Sequence, residues 1–323
     1  MKTVRIVLLG HGTVGRAFAS ILDMERDWIS QRFGLDLIIV GLRTSSLETR
    51  LESQQSEANG QWSSAGDLAS FLRDAEAGAV VQAIPNDSPQ TAYNQVLTAF
   101  EAGADVVTAT KSHLARDWAR IKAAANRLER SIGVSGAAGA ALPAVEMASR
   151  GLNGFHCRTI RACVNGTSNF VLSRLASGAS LAEAIAEAHR LGISEPNPQA
   201  DLSGADAAAK IVILSNLMWD REWTIDDVLR EPIAESALVR AAGAAAEGRV
   251  LRPVATAAAE GPLGVQLVEL ERGDPLFGLE AAEKAVDFDC GDEGHIVVSG
   301  GRSSPAGAAR ALLKDLINIT ISR

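Results

Sequence analysis

The stretch GISEPNPQADLSGADAAAK, residues 192–210, sets Glu195, Asp201, Asp206 and Lys210 among small residues. Such a set can do proton chemistry. A lysine whose proton affinity is lowered by burial or by a second cation can give or take the proton of a carbonyl or hydroxyl oxygen, and an aspartate one helical turn away can orient it. The competing reading is an i,i+4 ion pair on a solvated face, worth about 0.2–0.5 kcal/mol. The residues that follow decide between them. Gly204 to Leu217 has helical propensity, with Ser203 as the expected N-cap, so Asp206 and Lys210 lie on one face. The same helix carries Ala207, Ala208 and Ala209 and continues Ile211-Val212-Ile213-Leu214. A helix apolar nearly all round is buried, and buried charges need a partner or a task. Glu195 and Asp201 fall in the loop leading into it.

A second group of residues suits an anion. Gly10-His11-Gly12-Thr13-Val14-Gly15 follows an apolar run and opens a helical pattern, the context in which GxGxxG binds a dinucleotide. Gly10 allows the tight turn, Gly12 the approach of a pyrophosphate and Gly15 close helix packing, while the N–H groups of Thr13, Val14 and Gly15 face the phosphates. The run LDLIIVG ends in Leu42-Arg43-Thr44-Ser45-Ser46, with no acid for the ribose hydroxyls. Arg43, Ser45 and Ser46 suit a 2′-phosphate, so NADP(H) is the expected cofactor and NAD(H) the alternative. A solvated loop arginine is the competing reading of Arg43.

Hydride transfer to or from a carbonyl also needs a proton donor or acceptor. None of the five histidines is placed at a strand end near the crevice, and none shows ligand spacing, so no metal site is expected. Ligands in open α/β sheets lie beyond the carboxyl ends of the strands. That rule brings Pro85, after AGAVVQAI, and Thr110 and Lys111, after GADVVTAT, to the cofactor crevice.

These residues must be held by two bodies. With 323 residues the chain is long enough for two cores. From residue 1 to about 130, VRIVLLG, LDLIIVG, AGAVVQAI and GADVVTAT alternate with helical patterns such as GRAFASILDMERDWISQRF, the signature of a Rossmann-type, doubly wound parallel sheet. Beyond it CRTIRACV, PVATAAAE, GVQLVEL, AVDFDC and HIVVSG read as strands and the segment between as helices, an α+β arrangement. The expected domains are 1–134 for the nucleotide, 135–302 for substrate, catalysis and dimerisation, and 303–323 as a C-terminal helix returning to the first. That helix opens with Ser304 as N-cap and Pro305 at its first position.

Composition narrows the function classes. A net charge of −8 without clustered Lys and Arg argues against a nucleic-acid partner and for a small-molecule substrate. The chain is 47% hydrophobic, yet no run approaches the roughly 20 apolar residues of a membrane span. MKTVRIVLLG runs straight into the glycine motif and reads as a strand, not a leader. Cys157, Cys163 and Cys290 form neither a disulfide framework nor a CxxC pair. Cys157 and Cys163 are expected as core filler, which fits a reducing, cytoplasmic compartment.

Taken together, GHGTVG, TATK, VNGTSNFVL (residues 164–172), GISEPNPQADLSGADAAAK, DPLFGLEAAEKAV and the closing SSPAGAARALLKDL resemble the homoserine dehydrogenase family in its short form, without a C-terminal regulatory domain. The resemblance implies NAD(P)-dependent interconversion of L-homoserine and L-aspartate 4-semialdehyde. It further implies a cytoplasmic homodimer paired through the sheet of its second domain. By the same carry-over Lys210 and Lys111 are the catalytic lysines and Asp206 orients the reacting end. Glu195, Asp201, Gly166 and Thr167 bind substrate. Thr110 stands where the family usually has Asn, and Ser135–Pro143 lacks the family's glutamate and glycine run, so the family's monovalent cation is not carried over. These departures motivate one alternative, a relative acting on another small hydroxy acid or amino alcohol; a catalytically silent NADP-binding sensor on the same fold is the other.

Overall fold

A computed structural model describes residues 1–51, 61–194, 197–280, 283–302 and 304–323. They divide into two compact units, Met1–Ala141 with Ser304–Arg323, and Leu142–Ser303.

In the first unit the apolar runs become strands β1 (Lys2–Leu9), β2 (Leu35–Arg43), β3 (Leu47–Arg50), β4 (Ser63–Ser64), β5 (Ala79–Gln82), β6 (Asp105–Thr108) and β7 (Ile132–Gly133). Their order is β4-β3-β2-β1-β5-β6-β7. From β2 to β7 all neighbours are parallel, whereas β3 and β4 add an antiparallel edge. This edge corrects the all-parallel sheet expected: β3 and β4 are too short and polar to stand out as apolar runs. Helices α1 (Thr13–Phe33), α2 (Leu68–Asp74), α3 (Pro89–Glu101) and α4 (Leu114–Arg127) connect the strands, and α5 (Ser135–Ala138) follows β7.

The helix Pro305–Ile321 packs Leu312, Leu313 and Leu316 into the same core as Ile6, Leu8, Phe18 and Leu22. Ser304 caps it, its side chain accepting from Gly307 N at 3.0 Å, with Pro305 as the first helical residue. The first unit runs to Ala141, beyond the boundary expected after 134, and a buried contact explains this. Asp315 accepts from Ser135 N at 2.8 Å and from its hydroxyl at 2.7 Å. Gly133 leaves room for that carboxylate; a Cβ there would stand 2.6 Å from Asp315 Cβ.

The second unit holds β8 (Thr159–Cys163), β9 (Val228–Arg230), β10 (Val250–Ala258), β11 (Leu263–Leu270), β12 (Glu283–Asp289) and β13 (His295–Arg302) in the order β13-β12-β8-β10-β11-β9. All pairs are antiparallel except β11 with β9. Its helices are α6 (Ala144–Glu146), α7 (Gly166–Ala176), α8 (Leu181–Arg190), α9 (Gln199–Leu202), α10 (Ala205–Trp219) and α11 (Ser236–Ala246), and α12 is the closing helix of the first unit. Val171, Leu172 and Leu175 of α7, Ala237 and Ala241 of α11, Leu251 of β10 and Leu267 of β11 form one core.

Cys157 and Cys290 are paired as a disulfide, which corrects the expectation of three unpaired cysteines. The pairing is set by sheet register: Arg158 N donates to Asp289 O at 2.7 Å, bringing the start of β8 beside the end of β12. Cys163 is buried as expected, and burial pushes its thiol up to about 12. No helix among the described residues is long and apolar enough to cross a membrane.

Candidate active site

The glycine loop is shaped by what its residues lack. Gly10 has φ +95°, and a Cβ on it would meet Ala83 O at 2.3 Å. A Cβ on Gly15 would fall 2.0 Å from Gly10 O, so α1 lies against the turn. Gly12 differs: nothing stands within 4 Å of its Cβ position. It caps α1 without a side-chain hydrogen bond, and no acid occupies the first turn. The loop therefore has open space beside uncapped helix N–H groups, which fits a dinucleotide pyrophosphate. Thr13 is exposed, while Val14 packs on the core and offers its backbone alone.

At the end of β2, Arg43 forms an ion pair with Glu48, and its other terminal nitrogen donates to Gly66 O at 2.6 Å. The guanidinium carbon lies 5.9 Å from the Phe71 ring centre. Phe71 in turn packs on Gly41, where a Cβ would be 2.9 Å from the ring. Ser45 and Ser46 are exposed on the β2–β3 turn. An acid thus stands beside Arg43 after all, brought by β3 and not by the end of β2.

Pro85 is exposed after β5. Thr110 is fully buried, and its hydroxyl donates to Ile84 O at 2.8 Å. Thr110 thus braces the loop after β5 against the loop after β6. Asn86 Oδ1 accepts from Lys111 N at 2.8 Å and fixes the backbone that carries Lys111. Next to them His113 is fully buried with neither ring nitrogen hydrogen-bonded among the described residues, and burial brings its imidazolium down to about 4.

The second unit assembles a polar cluster around the turn from β8 into α7. Asn165 caps α7, accepting from Ser168 N at 2.8 Å. Its amide nitrogen donates to Asp201 Oδ1 at 2.6 Å and to Asp206 Oδ2 at 2.7 Å. Lys210 Nζ donates to the same Asp206 oxygen at 2.6 Å and to Val164 O at 2.9 Å. The Lys210 and Asp206 side chains are 14% and 12% exposed, which places the pair in the cluster and not on a solvated face. Helix α10 is capped by Gly204 at φ +73°, not by Ser203; Val265 lies 3.2 Å from where a Cβ would be. Gly166 is buried as the first residue of α7, and Thr167 donates its hydroxyl to Ile193 O at 3.2 Å, tying down the segment before residue 195. Glu195 itself lies outside the described residues.

Two members of the cluster are not apparent in the linear pattern. Asn165 joins carboxylates 36 and 41 positions away. Lys284 on β12 is 3% exposed; burial first, and then the Lys210 ammonium, bring it down to about 8, with Asp206 opposing. The available signal is a lysine at the start of the strand-like run KAVDF, where its neighbours Ala285, Val286 and Phe288 are apolar.

A family model described as homoserine dehydrogenase matches residues 143–317, and one described as its NAD-binding domain matches residues 10–135. The NAD(+)-dependent homoserine dehydrogenase of Pseudomonas canavaninivorans is 28% identical over 99% of this chain and 97% of its own length. The homoserine dehydrogenase of Synechocystis is 30% identical over 98% of this chain and 73% of its own. Among solved structures, a homoserine dehydrogenase from Thiobacillus denitrificans superposes with a TM-score of 0.87 at 26% identity, covering 99% of this chain and 74% of that one. A hyperthermophilic archaeal homoserine dehydrogenase in complex with NADPH shares the fold with a TM-score of 0.85 at 22% identity, covering 99% and 98% of the two chains.

Proposed function

Because this chain belongs to the homoserine dehydrogenase family, we propose that it interconverts L-homoserine and L-aspartate 4-semialdehyde, with Lys210 Nζ as the group that holds and moves the proton. The observation that carries this assignment is the anchoring of Lys210. An ammonium has three N–H bonds, and two of them point to Asp206 and Val164 O. The third is the one a substrate oxygen takes. In alcohol oxidation the neutral Nζ accepts the hydroxyl proton as the C–H hydride leaves; in reduction the ammonium returns it. When bound, the nicotinamide dinucleotide supplies the hydride acceptor or donor.

Asp206 orients Lys210, and Asn165 orients Asp206 by holding it against Asp201. Lys284 is a second lysine in the cluster, where burial first and then the Lys210 charge favour loss of its own proton. Lys111 is assigned the positioning of substrate against the nicotinamide, supported by its backbone anchor on Asn86. Glu195 is assigned the substrate ammonium from its place in the motif. Gly10, Gly12 and Gly15 make the pyrophosphate turn. The departure at Ser135 does not favour a different substrate, since that side chain faces Asp315. The chain is further assigned to the cytoplasm from the family alone, since the Cys157–Cys290 pair removes the cysteine argument for a reducing compartment, and to a homodimer through its six-stranded sheet, where Leu229 and Val297 are 71% and 39% exposed; sedimentation of the purified protein as a monomer would remove the dimer.

The test is steady-state turnover with NAD and NADP on L-homoserine and on a panel of small hydroxy acids and amino alcohols. Homoserine should give the highest kcat/KM. No turnover on homoserine with turnover on a relative would replace the substrate, and no turnover at all would remove the enzyme.

A further inference from the structure

We propose that Glu48 sets the choice of dinucleotide: by pairing with Arg43 it withholds the guanidinium from a 2′-phosphate and favours NAD(H) over NADP(H). The inference rests on the assignment of the glycine loop as a dinucleotide site and is independent of the substrate.

The pairing is built into the backbone. In the antiparallel register of β2 and β3, Arg43 stands opposite Glu48. The turn between them is closed by Thr44, whose hydroxyl accepts from Leu47 N at 3.0 Å, while Thr44 N donates to Leu47 O at 2.8 Å. Across-strand neighbours of opposite charge attract, and here both side chains are shielded, at 15% and 16% exposure, so salt screens them weakly. Gly66 O and the Phe71 ring hold the guanidinium from two further sides.

A 2′-phosphate adds roughly 1.5 to 2 negative charges at the end of β2. To reach Arg43 it must displace Glu48 or sit beside its carboxylate, and both are unfavourable. A ribose with a free 2′-hydroxyl meets the opposite situation, since a carboxylate is the acceptor such a hydroxyl needs. Reading Arg43 by itself pointed to NADP(H); the acid across the hairpin reverses that expectation.

Fluorescence titration of the full chain without substrate gives the Kd of NADH and NADPH for wild type, Glu48→Gln and the double variant Glu48→Gln, Arg43→Ala. Wild type should bind NADH the more tightly. Glu48→Gln should improve NADPH relative to NADH by about tenfold or more, and removing Arg43 in that background should abolish the gain. Tighter NADPH binding by wild type, or an unmoved ratio in Glu48→Gln that still binds NADH, would overturn the proposal. The wild-type ratio decides the matter should Glu48→Gln fail to fold. Binding of neither dinucleotide by wild type would overturn the nucleotide site as well, which separates the two failures.

Discussion

The glycine loop of the first unit and the polar cluster of the second solve opposite problems. The loop is made by absent side chains over six consecutive residues, Gly10 to Gly15, and its tolerance changes residue by residue: a Cβ at Gly15 would fall 2.0 Å from Gly10 O, whereas one at Gly12 meets nothing within 4 Å. The cluster is made by side chains from the β8–α7 turn, α9, α10 and β12 that converge from separate parts of the chain. A continuous backbone feature fails by collision. A convergent network of charges fails by leaving one of its members buried and unmatched.

That contrast can be broken or sharpened. The largest effect should come from Gly15→Ala, which forces α1 off the turn: dinucleotide binding should be undetectable by fluorescence titration, and stability should fall by about 3 kcal/mol in chemical denaturation. Gly12→Ala should keep the melting temperature of wild type and still weaken dinucleotide binding at least about tenfold, because its methyl fills the space left for the pyrophosphate. Equal loss of stability in the two variants would erase the distinction.

In the cluster the sign depends on pH. Lys284 at about 8 lies below the usual 10.5 of a lysine, so the unfolded chain binds more protons between those values and stability rises with pH across that window. Replacing Lys284 with Met should relieve a cost of about 3 kcal/mol at pH 7, and the difference from wild type should fade by pH 10 in denaturation series. A pH-independent difference would mean the lysine titrates normally. Asn165→Ala removes the donor shared by Asp201 and Asp206 and should cost about 2 kcal/mol, with kcat falling more than KM changes.

The smallest effect belongs to His113. Its imidazole at about 4, below the usual 6.5, makes stability fall as pH drops through that interval, by about 1 kcal/mol at pH 5.5. His113→Leu should lack this slope.

The same contrast explains what the sequence revealed. GHGTVG, the four apolar strands and the Ser304-Pro305 cap are local patterns, and each took the place it announced. The later strands β8, β10, β11, β12 and β13 were also legible as strand-like segments. What escaped depends on which segments pair: the antiparallel edge of β3 and β4, the three-residue β9, the Cys157–Cys290 pair and the Glu48 carboxylate set opposite Arg43 by a short hairpin. In the cluster, the Asp206–Lys210 pair follows from helical spacing, whereas Asn165 and Lys284 join it only through the sheet and its turn. Gly204 took the cap expected of Ser203 because the left-handed entry at φ +73° favours glycine.

The central claim is that Lys210 carries the proton in a dehydrogenase whose dinucleotide is bound elsewhere. Lys210→Ala tests it when homoserine oxidation and dinucleotide Kd are measured on the same preparation. Turnover should fall by about 100- to 10,000-fold while the Kd stays within about twofold of wild type. Turnover that persists, or turnover lost only together with dinucleotide binding, would contradict it.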